Sequence, residues 1–199
     1  ANLNGPRRSS YGSVRDLVIG MKVLLASGEI IKAGGKVVKN VAGYDMCKLF
    51  TGSLGTLGII AEVTLRVAPL PAHAATVIAT GTLANAAQYA NQLTRTKQLP
   101  TAVHLLNTGG TASWQLAVSF DGFAETVARQ VNDSEEMTQR LGMTQEVIDG
   151  GRQQQYWQVV ADLPVSQDRL VYRLTVPRGA VVQTISTIAD WSKTDSIPT

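Results

Sequence analysis

Gly52, Gly55 and Gly58 fall at intervals of three within Thr51-Gly52-Ser53-Leu54-Gly55-Thr56-Leu57-Gly58, directly before the apolar run Ile59 to Val67. Glycine is used where φ must be positive, or where another backbone or a ligand comes close. Three of them in seven residues, ahead of a strand, predict a shaped stretch of main chain with free N–H groups. Such a surface suits an anion or the polar edge of a ring. The same spacing also suits ordinary turns feeding a hairpin, and the glycines alone do not separate the two readings.

Other residues able to do chemistry are few. Tyr11 and Tyr44 each stand beside a glycine in a polar loop. An aromatic there either packs on a ring ligand or pins the loop. Arg7, Arg8 and Arg15 either meet a diphosphate or are ordinary surface arginines. Asp16 and Asp45 are expected to accept from neighbouring backbone N–H groups. The single cysteine, Cys47, reads as a small buried residue rather than a nucleophile. His73 and His104 are too few to hold a metal, and His104 is expected to be a satisfied or surface histidine. Trp114 and Trp157 read as core.

Several familiar sites are missing. No Gly-x-Gly-x-x-Gly joins a strand to a helix, so the Rossmann pattern fails. There is no Gly-Lys-Ser/Thr phosphate loop, no His-Glu-x-x-His and no Cys-x-x-Cys. Gly52-Ser53-Leu54-Gly55 misses the Gly-x-Ser-x-Gly elbow by one residue.

Composition narrows the classes further. The chain has 199 residues, 44% hydrophobic, with 18 basic and 15 acidic side chains for a net charge of +3. The mean hydropathy is +0.04. That is enough apolar material for a real core in one large domain or two small ones. No apolar run is long enough to be a transmembrane segment. No basic block with interleaved aromatics appears, so nucleic acid is not an expected partner. One cysteine forms no internal disulfide and fits a reducing compartment.

The elements that must position these residues read as follows. Residues 1–16 are loop, rich in Asn, Gly, Pro and Ser. Leu17 to Leu25 is a strand, Ala26-Ser27-Gly28-Glu29 a hairpin turn, and Ile30 to Ala33 the returning strand. Gly34-Gly35 is a break. Residues 44–51 form a short helix with Leu49 and Phe50 buried, and Ile59 to Val67 is the next strand. Pro69-Leu70-Pro71-Ala72 is a rigid joint. Beyond it come a strand at Ala75–Thr80 and a helix at Leu83–Thr96, with Leu83, Ala87, Ala90 and Leu93 on one face. Strands follow at Ala102–Asn107 and Ala112–Phe120, the latter alternating as a half-buried strand does. A helix covers 123–141 with Phe123, Val127, Val131 and Leu141 inward, and a strand covers Thr144–Asp149. Gly150-Gly151 is a break before a helix at Gln153–Val160. Leu170, Tyr172, Leu174 and Val176 alternate as a strand, and Ala180–Ser192 closes as a helix. The second part thus has the split βαβ, ferredoxin-like order of strand, helix, strand, strand, helix, strand.

Three strings carry a resemblance. They are Gly5 to Asp16, Gly28 to Gly35, and above all Lys39-Asn40-Val41-Ala42-Gly43-Tyr44-Asp45 running on to Ile60. Together they resemble the second half of the FAD-binding domain of the vanillyl-alcohol-oxidase, or PCMH-type, flavoproteins, and within them the FAD-binding E-type subunits of bacterial glycolate oxidase. The resemblance implies an α+β fold in two parts. Residues 1–71 would be the C-terminal part of the PCMH-type domain, and 72–199 an incomplete ferredoxin-like cap. It implies FAD as cofactor, lined by Tyr11, Gly12, Gly52, Ser53, Gly55, Thr56, Gly58, Ile59 and Ile60, largely through backbone groups. It implies oxidation of a small D-2-hydroxy acid, with hydride passing to the flavin and electrons onward. Implied partners are a sister catalytic flavoprotein subunit and an iron–sulfur subunit. The implied place is the cytoplasm or the inner-membrane surface.

Departures from the family pattern refine the expectation. Its earlier subdomain, with the diphosphate loop, has no counterpart here, so the chain reads as a fragment, itself inactive and binding FAD poorly. Leu54 stands where many catalytic relatives have Glu. Val38 and Ala42 replace the Arg and Thr of relatives that grip a substrate carboxylate. The metal-binding cap histidines are absent. The resemblance therefore implies a flavin-binding subunit with no assignable catalytic residue, whose sister performs the chemistry. A flavin-free assembly module and a directly catalytic D-2-hydroxy acid dehydrogenase are the alternatives.

Overall fold

A computed structural model of the chain, describing residues 4–36, 43–109, 113–163, 172 and 174–191, builds its first core on one strand. Strand β1 (Val18–Leu24) is flanked antiparallel by β2 (Ile30–Gly34) and β3 (Ile59–Leu65), in the order β2-β1-β3. The hairpin closes with the Leu25 amide donating to Glu29 O at 2.9 Å and the Gly28 amide to Leu25 O at 3.0 Å. Val18, Met21 and Val23 of β1 and Ala33 of β2 meet Cys47 and Phe50 of a short helix, numbered α3 in chain order (Met46–Phe50). Leu49 is half exposed rather than buried. In a five-residue helix the pair three apart, Cys47 and Phe50, takes the sheet side, and Leu49 falls off that face.

The opening segment is not simple loop. It contains two single-turn helices, α1 (Arg8–Tyr11) and α2 (Val14–Leu17). Ser13 and Asp16 make a reciprocal capping box, which starts α2 and carries Leu17 into the helix instead of the strand. Gly34 ends β2 rather than breaking it, with φ of +65°. A Cβ there would collide with Ile19 O and stand 3.0 Å from Cys47 Sγ.

The chain divides into two compact units, Ala1–Ala72 and His73–Thr199. The second holds β4 (His73–Gly81), α4 (Leu83–Leu93), β5 (Ala102–Asn107), β6 (Trp114–Gly122), α5 (Ala124–Arg140) and β7 (Thr144–Asp149). Its antiparallel sheet runs β5-β6-β4-β7, which is the ferredoxin-like arrangement. Helices α6 (Gly150–Asp162) and α7 (Val181–Trp191) follow, α7 entered through a 3₁₀ turn at Arg178–Ala180. Among the described residues no helix is long and apolar enough to cross a membrane.

One sheet face packs Val77, Ala79, Leu116, Val118 and Phe120 against Ala86, Tyr89 and Leu93 of α4 and Val127 and Met137 of α5. The other packs Ile78, Ala102, Ala117 and Ile148 against Trp157 and Val160 of α6. Residues Leu116 to Phe120 are therefore buried on both faces, not one. The small or hydroxylated side chains on the second face, which read as solvent-facing, are what admit α6. Trp157 Nε1 donates to Thr76 Oγ1 at 2.8 Å and Gln153 Nε2 to Ser119 Oγ at 3.3 Å.

Other expectations shift by a residue or two. The buried face of α4 is Ala86, Tyr89 and Leu93 rather than Leu83 and Ala87, because Tyr89 has the largest area to remove from water. Phe123 is 78% exposed at the cap of α5, whose inner face includes Gln130, Ser134 and Thr138. Gly150 and Gly151 form the first turn of α6 instead of a break. Tyr172 and residues 174–177 lie outside any strand, and Leu170 lies outside the described residues.

Two outcomes follow. Gly34→Ala should destabilise the first unit by roughly 2 kcal/mol or more, read as faster amide exchange across β1 and β2; unaltered exchange would refute the steric account. Trp157→Phe should cost about 1 kcal/mol for the lost bond to Thr76, read from the urea midpoint of the second unit.

Candidate functional site

The glycine stretch is built outward from Phe50. With Phe50 anchored in the core, the Thr51 amide and Oγ1 both donate to Cys47 O, at 3.1 and 2.7 Å. The Ser53 amide donates to Phe50 O at 3.1 Å and the Thr56 amide to Ser53 O at 3.0 Å. Thr56 Oγ1 adds a bond to Ser53 O at 2.7 Å. These bonds turn the chain through positive φ at Gly52 (+91°), Leu54 (+55°) and Gly55 (+82°). A leucine in that conformation is strained, and such strain concentrates at functional sites. The amides of Gly52, Leu54, Gly55 and Leu57 donate to no carbonyl among the described residues.

Gly55 and Gly58 do different work. Nothing lies within 4 Å of a Cβ placed on Gly55, so that position opens outward. A Cβ on Gly58 would lie 2.7 Å from Val23 Cγ1 and 2.9 Å from Leu24 O. Gly58 therefore lets the loop's end lie against β1. Beyond it Ile59 and Ile60 are exposed, and β3 is an edge strand open on both faces. Leu54 is 76% and Leu57 46% exposed. The loop presents unused N–H groups beside uncovered aliphatic side chains. Leu54 and Leu57 escape a search for polar site residues. Their signal is apolar side chains placed between glycines.

Tyr11 and Gly12 lie at the turn between α1 and α2. Gly12 has φ of +85°, and a Cβ there would come within 3.2 Å of Asp16 Cβ. Asp16 Oδ2 accepts from Ser13 N at 2.8 Å and Ser13 Oγ at 2.6 Å. Helix α2 packs on α3, and α3 runs directly into the glycine loop. Asp45 Oδ1 caps α3 by accepting from Lys48 N at 3.2 Å. Both aspartates thus serve local backbone, as expected. Tyr44 is 94% exposed. It lines an open cleft of about 510 Å³ with Arg15, Asp45, Met46, Lys48 and Leu49. Arg7 and Arg8 are exposed. Lys39 to Ala42, the heart of the longest motif, lies outside the described residues.

Cys47 is buried, its Sγ donating to Ala33 O at 3.5 Å, and burial pushes its thiol pKa up. That is the environment of an inert thiol. His104 corrects its expectation: Nδ1 is buried with no partner among the described residues, and burial lowers its pKa. It pairs with Ala117 on the sheet face that α6 covers, so neither surface exposure nor full satisfaction describes it.

No protein-family model matches the chain. It is 42% identical over 107 residues to glycolate oxidase subunit GlcD of Bacillus subtilis, covering 53% of this chain and 23% of that protein. It is 48% identical over 69 residues to glycolate oxidase subunit GlcE of Escherichia coli, covering 35% and 20%. It is 50% identical over 70 residues to a D-lactate dehydrogenase of Anaerostipes hadrus, covering 35% and 15%. The chain thus spans at most 23% of the length of these relatives. Among solved structures, alkyldihydroxyacetonephosphate synthase superposes with a TM-score of 0.73 at 16% identity, covering 98% of this chain and 44% of that one. The glucooligosaccharide oxidase of Acremonium strictum, which carries a 6-S-cysteinyl, 8α-N1-histidyl FAD, gives 0.51 at 18% identity, covering 86% and 36%. At such identities these likenesses speak for the fold alone. The chain is a homologue, over part of its length, of glycolate oxidase subunits and D-lactate dehydrogenases, with a fold found in FAD-binding oxidases.

The Ser13 donors hold the Asp16 carboxyl below its ordinary 3.8. Its contribution to the α1–α2 turn is therefore complete above pH 3.8 and lost as pH falls through the depressed folded value. Carbon-detected NMR should place the Asp16 midpoint below 3.8, and Ser13→Ala should move it upward. A midpoint that stays put in Ser13→Ala would remove the box from the explanation.

Proposed function

We propose that Tyr11, Gly12 and the stretch Gly52, Ser53, Gly55, Thr56, Gly58, Ile59 and Ile60 form one wall of an FAD site. On this reading the chain is part of the FAD-binding subunit of a glycolate oxidase. The observation that carries the reading is the loop itself, with unused amides at 52, 54, 55 and 57 beside exposed Leu54 and Leu57. The identities to glycolate oxidase subunits and D-lactate dehydrogenases support the substrate class, a small D-2-hydroxy acid.

Two-electron redox chemistry would come from FAD when bound. The chain's own contribution is position and polarity. Unused N–H groups donate to the polar edge or phosphate oxygens of the cofactor. Leu54, Leu57, Ile59 and Ile60 keep water from that contact, and low local dielectric strengthens each donated bond. Gly58 and Phe50 hold the loop to the core, so the amides are set before the ligand arrives.

The loop supplies no acid or base. Leu54 occupies the place of the acidic residue, and Thr56 Oγ1 is committed to Ser53 O. This supports a division of labour. This subunit holds flavin and passes electrons, while a sister flavoprotein subunit takes the hydroxy acid and an iron–sulfur subunit receives the electrons. Residues 1–71 would supply the second part of the PCMH-type domain, and 72–199 the cap.

Expression of the full reading frame that contains this chain tests the reading. The protein should purify yellow, and Gly55→Val should lower flavin affinity about tenfold, corresponding to ~1.4 kcal/mol of lost contact. A colourless protein that takes up no added FAD would sink the proposal and favour a flavin-free assembly role. Dye reduction by glycolate or D-lactate with this subunit alone would overturn the division of labour.

A further inference from the structure

A side-chain clasp that the flavin reading leaves unused closes residues 4 to 14 around α1. Asn4 Oδ1 accepts from the Val14 amide at 2.8 Å, ten residues along the chain. Inside the clasp the Arg8 amide donates to Gly5 O at 3.2 Å, and α1 follows. Val14 is the first residue of α2, so its N–H is one that the helix itself leaves without an acceptor. The Asn4 amide oxygen fills that place from outside the helix.

The residue after Asn4 is Gly5. Gly5 is exposed, and nothing lies within 4 Å of a Cβ placed there. Its nitrogen therefore approaches the preceding side-chain amide with no side chain of its own in the way. Attack of the Gly5 nitrogen on Asn4 Cγ closes a succinimide ring. Negative charge then gathers on Asn4 Oδ1, the atom that the Val14 N–H already meets. A donor fixed in advance where charge develops lowers the barrier to acyl transfer. The residue pair supplies the reacting atoms, and the fold supplies the donor.

We propose that Asn4 is a self-modifying site, converted within its own clasp to isoaspartate and aspartate. The Gly5 nitrogen gives its proton to solvent and bonds to Asn4 Cγ. The Cγ–Nδ2 bond breaks, and ammonia leaves with a proton from solvent. Water then adds to either carbonyl of the cyclic imide, and the ring nitrogen leaves that carbon protonated. Opening at the main-chain carbonyl gives isoaspartate, and opening at Cγ gives aspartate. Water is the only co-reactant. Isoaspartate lengthens the main chain by a methylene between residues 4 and 5. It also turns the former main-chain carbonyl into a free carboxylate. The oxygen that Val14 met now belongs to the main chain, so the clasp on α1 opens.

Incubating the product of the full reading frame that contains this chain tests the proposal, read by peptide mass spectrometry. In mildly alkaline buffer residue 4 should gain the mass of an amide exchanged for a carboxyl, faster as pH rises. Enzymatic methylation should detect isoaspartate there. Val14→Pro removes the donor and little else. Proline suits the first position of a helix, and the Val14 side chain is 39% exposed. Ser13 already has the extended conformation that precedes proline, with φ −85° and ψ 165°. This variant should slow conversion about tenfold, the order of one hydrogen bond, at an unchanged melting temperature. Should it fail to fold, amide exchange in the unaltered sequence decides. The Val14 amide should be protected before conversion and exchange freely in the isoaspartate form. An Asn4 that keeps its amide over weeks would overturn the proposal. So would Val14→Pro converting at the original rate, or Val14 exchange that conversion leaves unchanged.

Discussion

Close approach of main chain to β1 is the constraint on which the first unit depends. Gly34 passes against the Ile19 carbonyl and Gly58 against Val23 and the Leu24 carbonyl. Any side chain at either place would push β2 or the loop's end off the central strand. With both glycines in position, Val23 is wholly buried and Phe50 closes the small core above it. A core this small has little apolar area to spend on holding a loop. The loop between Phe50 and Ile59 is instead held by a chain of short backbone bonds that begins at Cys47 O. That is how a strained Leu54 persists in an exposed turn: its neighbours leave no other path for the chain.

The second unit solves the opposite problem. Its four-stranded sheet is covered on both faces, so β4 and β6 are buried through most of their length. The α4–α5 side is packed by bulky apolar groups. The α6 side uses small and hydroxylated strand residues, and its two longest contributions from α6, Trp157 and Gln153, end in hydrogen bonds to Thr76 and Ser119. Those two buried polar groups are tolerated because each finds a partner. Where partners are lacking among the described residues, at Tyr89, Gln98, His104, Gln130 and Tyr156, the fold leaves polar atoms that packing alone does not account for.

The sequence was legible wherever a local rule governs a local structure. The hairpin at residues 25–29, the acceptance of backbone N–H groups by Asp16 and Asp45, the burial of Cys47 and the ferredoxin-like order of the second part all follow from turn chemistry, local side-chain bonding and period. It misled where a choice depends on what covers a face. The alternation over Ala112–Phe120 read as a strand buried on one face, yet a helix more than thirty residues downstream lies on Ala117 and Ser119 of the other. Phe123 read as core by its type, but it precedes the first turn of α5 and points away. The buried stripe of α5 contains Gln130, Ser134 and Thr138, which no hydrophobic count would select.

The candidate site shows the same division. Residue types and spacing alone called for a bent main chain over 52–58, because glycine reaches positive φ cheaply, but did not separate a donor-bearing surface from ordinary turns. Sequence could not say that two of these glycines serve unlike ends, Gly55 facing open space and Gly58 facing β1. That distinction exists only once β1 lies beside the loop, since free volume at a Cβ is a property of neighbours distant in the chain. Nor could it say that Leu54 and Leu57 stand uncovered. An apolar side chain is core or surface according to what the fold brings against it, and tertiary structure alone decides that.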